Sequence, residues 1–216
     1  MSTIQIRPYT AADRQALRTL ACETADRGEP VERFFGDRET FADLVTRYYT
    51  DYEPRAVWVA EAQQQLIGYL TGCFDTRRYH QRMTWPVVPS ALVGAMVRGA
   101  LWSRQTWRIG WASLATWQQG GWRRTISFER FPAHLHLNID RAFRGQQIGH
   151  RLIEHFSAQA KASGVAGIHV AVRADNVPSC RFFEGLGFTA LHRYPVTRPE
   201  ATAYIVQDSS VYAKSL

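Results

Sequence analysis

FRGQQIGHRL, residues 143–152, is the stretch on which the fold turns. Arg144 is followed at once by Gly145, Gly149 comes four residues later, and an apolar pattern at helical spacing (Ile148, Leu152, Phe156, Ala160) begins inside the stretch and runs to about Ala162. Immediately before it, Ala133–Ile139 alternates Leu135, Leu137 and Ile139 against His134, His136 and Asn138, which predicts a strand. A strand, a glycine-bearing turn and a helix start thus meet at one junction. A helix N-terminus leaves backbone N–H groups without partners and carries partial positive charge. Glycine lets that backbone wrap an anion, and Arg144 adds a fixed charge with two parallel donors. Spacing alone leaves two readings open: an anion cradle, or a tight turn that needs Gly145 for its dihedral angles. Gln147 stands where a third glycine is expected.

Outward from the junction, Ile168–Val172 reads as a strand, Pro178–Gly185 as a short helix, and Phe188–Arg193 with Thr202–Val206 as a closing pair of strands. Upstream, Thr3–Pro8 reads as a strand, and Thr10 caps a helix running to about Arg27 with Leu17, Leu20 and Ala21 as its buried stripe. A second helix covers Arg38–Tyr49 with Phe41, Leu44 and Val45 inward, and Ala56–Glu61 pairs with Leu66–Thr71 as a hairpin. This order predicts an α/β (α+β) fold: a central mixed, mostly antiparallel sheet flanked by helices, with one parallel crossover.

Between the third and fourth strands the composition changes. From Thr76 to Phe128 there is no Asp or Glu, yet eight arginines and six of the seven tryptophans (Trp85, Trp102, Trp107, Trp111, Trp117, Trp122). We read residues 76–128 as a helical insertion in a single domain spanning 1–216, with Val87–Trp117 forming two helices broken near Ser103 or Gly110. Its longest apolar run is interrupted by Pro89 and Arg98 and is too short to span a membrane. The tryptophans are too many to leave in water. Packing on the sheet or a homodimer interface ranks first, a roof over an acceptor site second, and nucleic-acid contact last, because no nucleic-acid module accompanies them.

The chain of 216 residues, 45% hydrophobic, is ample for a core, and its net charge of +7 favours anionic ligands. Three cysteines without a spaced framework, and an N-terminus without a secretory pattern, point to reduced thiols in the cytoplasm.

From Ile4 to Phe188 the chain resembles the GNAT superfamily of acyl-CoA N-acyltransferases. The resemblance rests on IRPYTAAD at 6–13, RGQQIGH at 144–150 and NVPSCRFFEGLGF at 176–188, in that order. It implies the GNAT fold, with acetyl-CoA as cosubstrate and an amine of unknown identity as acceptor. It also implies that the pyrophosphate lies on the amides of Arg144, Gly145, Gln146, Gln147, Ile148, Gly149 and His150. The pantetheine arm would run between splayed strands at Leu137–Ile139 and Ile168–Val172, the N–H near Ile139 would meet the acetyl carbonyl, and Asn176 and Ser179 would touch the cofactor from the short helix. Gln147 departs from the family's glycine, and Phe183 stands where the family often has an acidic tyrosine. A catalytically weak or inactive domain that still binds acetyl-CoA is the alternative.

For a base, His134 and His136 share one strand face, and histidine titrates near neutrality. The AHLH segment resembles the His-x-His strand of arylalkylamine N-acetyltransferases, one residue shorter in its distance to the following arginine. Burial with satisfied nitrogens is the other reading of each histidine. Asp140 is a third candidate, or a turn cap. A zinc pair lacks a third ligand at suitable spacing, so no metal is expected. PAHLHLNI with the preceding insertion resembles the C-terminal acetyltransferase-like domain of O-GlcNAcases and its free-standing bacterial homologues.

Overall fold

The computed structural model describes residues 3–26, 28–120, 126–199 and 204–216. In chain order the elements are β1 (Gln5–Pro8), α1 (Arg14–Glu23), α2 (Arg38–Tyr52), β2 (Val57–Ala62), β3 (Gln65–Cys73), α3 (Thr76–Arg82), α4 (Val88–Val97), α5 (Arg104–Gln118), β4 (Ala133–Ile139), α6 (Ile148–Ala162), β5 (Gly167–Arg173), α7 (Val177–Gly185), β6 (Thr189–Pro199) and β7 (Tyr204–Ser215). The strands form one seven-stranded sheet in the order β1-β2-β3-β4-β5-β7-β6. Among the described residues, only β4 and β5 pair in parallel, joined by α6. The GNAT fold expected from the sequence is the fold observed.

Three boundaries differ from expectation: the end of α1 and the extents of the two closing strands. α1 ends at Glu23 instead of near Arg27, which lies outside the described residues. The break in the insertion falls between Val97 and Arg104, at the first of its two expected positions: Gly99 takes φ +72° and Ser103 caps the next helix, whereas Gly110 sits inside α5. A non-glycine residue resists that left-handed angle, so the chain turns at Gly99. The closing strands are longer than expected, and β7 inserts between β5 and β6. Thr202, the expected start of that strand, lies outside the described residues.

The alternation of β4 decides how the sheet is covered. Leu135 and the half-buried Leu137 and Ile139 pack with Ile148, Leu152, Phe156 and Ala160 of α6, as the helical spacing required. Gly72 on β3 lies under the ring of Phe156, where a Cβ would come within 2.3 Å of Cε2. The other sheet face packs on α1 and α2 through Leu17, Leu20, Tyr48, Tyr49, Tyr69 and Cys73. Phe41, Leu44 and Val45 of α2 are only half-buried. The fully buried positions of that helix are Thr40, Ala42, Thr46, Tyr48, Tyr49 and Thr50, and the expected inward stripe borders a cavity instead.

Candidate active site

β4 and β5 pair only at Ala133–Ile168 and His134–His169, then diverge, while β5 continues along β7 as far as Arg173–Ser209. The divergence begins beyond His169, so Ile168 is still paired and the splayed stretch is shorter than expected. A cavity of about 460 Å³ opens there, lined by α2, the polar face of β3 and β4, the end of β5 and the start of α7. His136, Leu137, Asn138, Asn176, Ser179 and Phe183, all expected at the site, lie in its wall.

The polar face of β4 is matched residue by residue across β3. Cys73 stands opposite His134, Thr71 opposite His136 and Tyr69 opposite Asn138. The outer pairs bond one another: Cys73 Sγ lies 3.0 Å from His134 Nδ1, and Asn138 Nδ2 donates to the Tyr69 hydroxyl at 2.7 Å. In the middle pair, the Thr71 hydroxyl is buried with no hydrogen-bond partner, and Thr71 borders the cavity. A buried hydroxyl left unpaired costs free energy that a bound polar group would recover.

His134 sits below the cavity wall. Its Nε2 lies 2.9 Å from the Tyr49 hydroxyl and its Nδ1 lies 2.8 Å from Thr76 Oγ1, which itself donates to Pro132 O at 2.7 Å. Burial, with Tyr79 alongside, pushes the Tyr49 phenol well above its ordinary range, so it stays a neutral hydroxyl. Thr76 gives its one hydroxyl proton to Pro132 O, so Nδ1–H donates to Thr76 and, in that neutral tautomer, Nε2 accepts from Tyr49. His136, two residues along, is exposed in the cavity, its ring 5.9 Å from Tyr49 and 5.7 Å from His134. Burial likewise pushes up the Cys73 thiol. Asp140 is not in the cavity wall. It accepts the Ala142 N–H at 2.8 Å and caps the turn after β4.

The junction at 143–152 forms a helix N-terminus at the mouth of the splay. Gly145 has φ +79° with open space where a Cβ would stand, and Gln147 has φ +58° at the N-cap of α6. That left-handed angle is the physical reason a glycine is expected at 147. The first intrahelical bond runs from Arg151 N–H to Gln147 O at 3.1 Å, so the N–H groups of Ile148 to His150 belong to the unpaired first turn. Gly149 serves packing: a Cβ there would meet Phe182 at 3.0 Å, Leu137 at 3.2 Å and Ile139 at 3.3 Å. Gln146 is exposed beside it, and the His150 side chain turns to Glu154 at 3.3 Å, which leaves only its backbone N–H at the helix start. Arg144 Nε donates to Ile139 O at 3.2 Å on the free edge of β4. Asn176 caps α7 by accepting the Ser179 N–H at 3.3 Å, and Phe183 is buried against Phe182 and Phe188.

A second, polar cavity of about 470 Å³ adjoins Arg33, Arg141, Arg144 and Arg173 with Asp26, Glu29, Asp175 and Gln207. The turn from Asp26 to Glu29 crosses this mouth. Asp26 pairs with Arg173 at 2.7 Å, Glu29 with Arg141 at 3.7 Å, and Gly28 sits against the Arg144 guanidinium, where a Cβ would fall 2.5 Å from a terminal nitrogen. Tyr49, Tyr69, Thr71, Arg141 and Arg173 were not singled out from the sequence. The i, i+2 set Tyr69, Thr71, Cys73 opposite the polar face of AHLHLN was the available signal. Among the described residues, no three His, Cys, Asp or Glu side chains are grouped to hold a metal ion, and no helix is long and apolar enough to cross a membrane.

Residues 92–188 match the family model described as Acetyltransferase (GNAT) family. Solved structures align along nearly the whole chain. SsHAT is 22% identical with a TM-score of 0.71, over 99% of this chain and 98% of its own. The Drosophila melanogaster polyamine N-acetyltransferase, described as forming N-acetylagmatine, is 16% identical with a TM-score of 0.64, over 99% of this chain and 100% of its own. The protein yncA of Salmonella typhimurium, solved with its cofactor acetyl-CoA, is 14% identical with a TM-score of 0.57, over 99% of this chain and 94% of its own. Residues 92–188 are thus similar to the GNAT acetyltransferase family, and the chain as a whole shares the fold of these solved structures, with the splayed strands and the helix start at their mouth.

Proposed function

We propose that the protein transfers an acetyl group directly from acetyl-CoA to a primary amine held between α2 and the polar face of β3 and β4. The observation that carries the reading is the divergence of β4 from β5 beyond His134 and His169, which opens a slot ending at the first turn of α6. The residues present fit the cosubstrate. Gly145 leaves the approach open, the first-turn N–H groups of α6 supply anion donors, Arg141 and Arg144 flank them, and the free edge of β4 at Leu137–Ile139 offers backbone groups for the pantetheine arm. Gln146, Gln147, Ile148, Gly149 and His150 form the floor of that cradle, with Asn176 and Ser179 facing it from α7. Acetyl-CoA supplies the activated acetyl thioester.

The chain's own groups then divide the work. His136, exposed in the cavity, accepts the amine proton, directly or through water. His134 holds the Tyr49 hydroxyl in place and is a positioning residue. The Thr71 hydroxyl takes a polar group of the acceptor, and the N–H near Ile139 stabilises charge on the carbonyl oxygen. Phe183 offers no proton to the departing thiolate, and a thiolate leaves without one. The likeness to the acetyltransferase-like domain of O-GlcNAcases belongs to this reading, supported by the three helices between β3 and β4. All three cysteines are free, which suits the cytoplasm.

Calorimetric titration with acetyl-CoA, followed by a thiol-release assay over a panel of primary amines, tests the proposal. Saturable binding with acceptor-dependent coenzyme A release supports it. Binding without release for any amine supports the inactive domain, and no heat at millimolar ligand ends both readings.

A further inference from the structure

The insertion's two longer helices are packed with their small residues inward. α5 lies on β6 through Ala112 and Thr116, and Thr116 Oγ1 accepts the Thr197 N–H at 2.9 Å. Its large apolar side chains point the other way: Trp107, Trp111 and Trp117 are 59%, 60% and 64% exposed, with Leu114 between them. Positions 107, 111 and 114 follow i, i+4, i+7 and form one stripe. α4 repeats the arrangement, burying Ala91 and Ala95 while Leu92, Val93, Met96 and Val97 stay exposed. The expectation that the tryptophans pack on the sheet is therefore corrected for these residues, and Trp122 lies outside those described. A helix that completes its packing within its own chain turns its large apolar residues inward.

We infer that the outward face of α5 is the interface to a second copy of this chain, with the two α5 helices antiparallel about a two-fold axis near Trp111. Area supports this occupant. At up to about 250 Å² per tryptophan, the three on α5 expose on the order of 450 Å². With Leu114, that face alone carries more than half of the roughly 800 Å² that each partner brings to a standard interface. Charge fixes the direction. No Asp or Glu lies between Thr76 and Phe128 to neutralise Arg104 within the insertion. Parallel helices would set Arg104 beside its own copy. Antiparallel pairing separates the two by about 21 Å along the helix axis. It also brings each to the C-terminal end of the partner's α5, whose carbonyls carry partial negative charge. An anionic lipid surface fits less well, because Arg98 is held by Asp37 at 2.8 Å, Arg77 pairs with Glu129 at 3.6 Å and Arg108 lies over the Tyr204 ring.

The inference stands apart from the acetyl-transfer reading, and sedimentation of the full chain tests it. Wild type is expected to sediment as a dimer at micromolar concentration. Trp111→Arg should weaken association at least tenfold while keeping its circular dichroism and acetyl-CoA binding. Trp85→Arg, at another exposed tryptophan, should remain dimeric. Oxidation should link Trp111→Cys dimers in higher yield than Arg104→Cys dimers. A monomeric wild type, equal association of Trp111→Arg and wild type, preferential linking through Arg104→Cys, or binding to phosphatidylserine vesicles by a chain that stays monomeric would each overturn it.

Discussion

The Tyr49 hydroxyl meets Nε2 of His134 at 2.9 Å, joining the last turn of α2 to the strand that borders the slot. Eighty-five residues separate the two in sequence. Thr76, which donates to Pro132 O and faces Nδ1, selects the tautomer in which Nε2 accepts this bond, and the Tyr49 ring lies 5.9 Å from that of His136. Tyr49→Phe removes that hydroxyl from the buried Nε2 and leaves the longer contact to Cys73 Sγ at 3.7 Å. Urea unfolding should show a loss of about 1–3 kcal/mol. An unchanged midpoint would mean that the bond contributes nothing.

Thr71 presents the opposite case. Its hydroxyl is buried without a partner, so Thr71→Val removes a group that does not stabilise the free protein. The variant should be as stable as wild type or more stable, by up to about 1 kcal/mol, because no hydrogen bond is lost. If the hydroxyl holds the acceptor, KM for the amine rises several-fold. Equal kinetics in wild type and variant would place the acceptor elsewhere.

Gln147 holds φ +58° at the start of α6, an angle that costs a residue with a Cβ about 1 kcal/mol or more. Gln147→Gly should therefore raise the melting temperature, stabilising by about 0.5–1 kcal/mol once the flexibility of glycine in the unfolded chain is subtracted. Acetyl-CoA affinity should hold or improve, since the amides proposed to face the phosphates remain. A clear loss of affinity would show instead that the Gln147 side chain itself donates to the ligand.

Glu29 pairs with Arg141 at 3.7 Å and with Arg33 at 3.5 Å across the slot mouth, the path proposed for the phosphates. Glu29→Gln removes a negative charge beside them. Calorimetry at low ionic strength should show acetyl-CoA binding a few-fold tighter, and the difference should shrink as salt screens these exposed charges. Weaker binding in the variant would mean that Glu29 holds the arginines in position for the ligand.

At the far edge of the sheet, two hydrogen bonds from Arg7, both 2.7 Å, together with Thr10, hold the Asp13 carboxyl down to about 2. A carboxyl lowered on folding contributes stability above its unfolded value, near 4, and loses it as pH falls from about 4 to about 2. The contribution is about 1–2 kcal/mol after allowing for the partly exposed Arg7. Asp13→Asn should flatten that part of the stability–pH curve, measured by urea unfolding between pH 2 and pH 6. An equally steep fall in the variant would assign the acid sensitivity to other carboxylates.

The sequence determined what depends on neighbours along the chain. The alternation of AHLHLNI set the two faces of β4. The spacing of Ile148, Leu152, Phe156 and Ala160 set the buried face of α6, and the Gly145 turn set the junction between them. Those patterns are local because strand and helix periodicities are local. Tertiary structure decided what depends on register across the sheet and on which helix covers which face. His134 and His136 look equivalent at i, i+2, yet α2 covers one with Tyr49 and leaves the other open to the cavity. Phe41, Leu44 and Val45 form an apolar stripe that faces a cavity, and the tryptophans of α5 form one that faces outward. Periodicity shows that a helix has an apolar face, and only packing decides whether that face meets a core, a ligand cavity or another molecule.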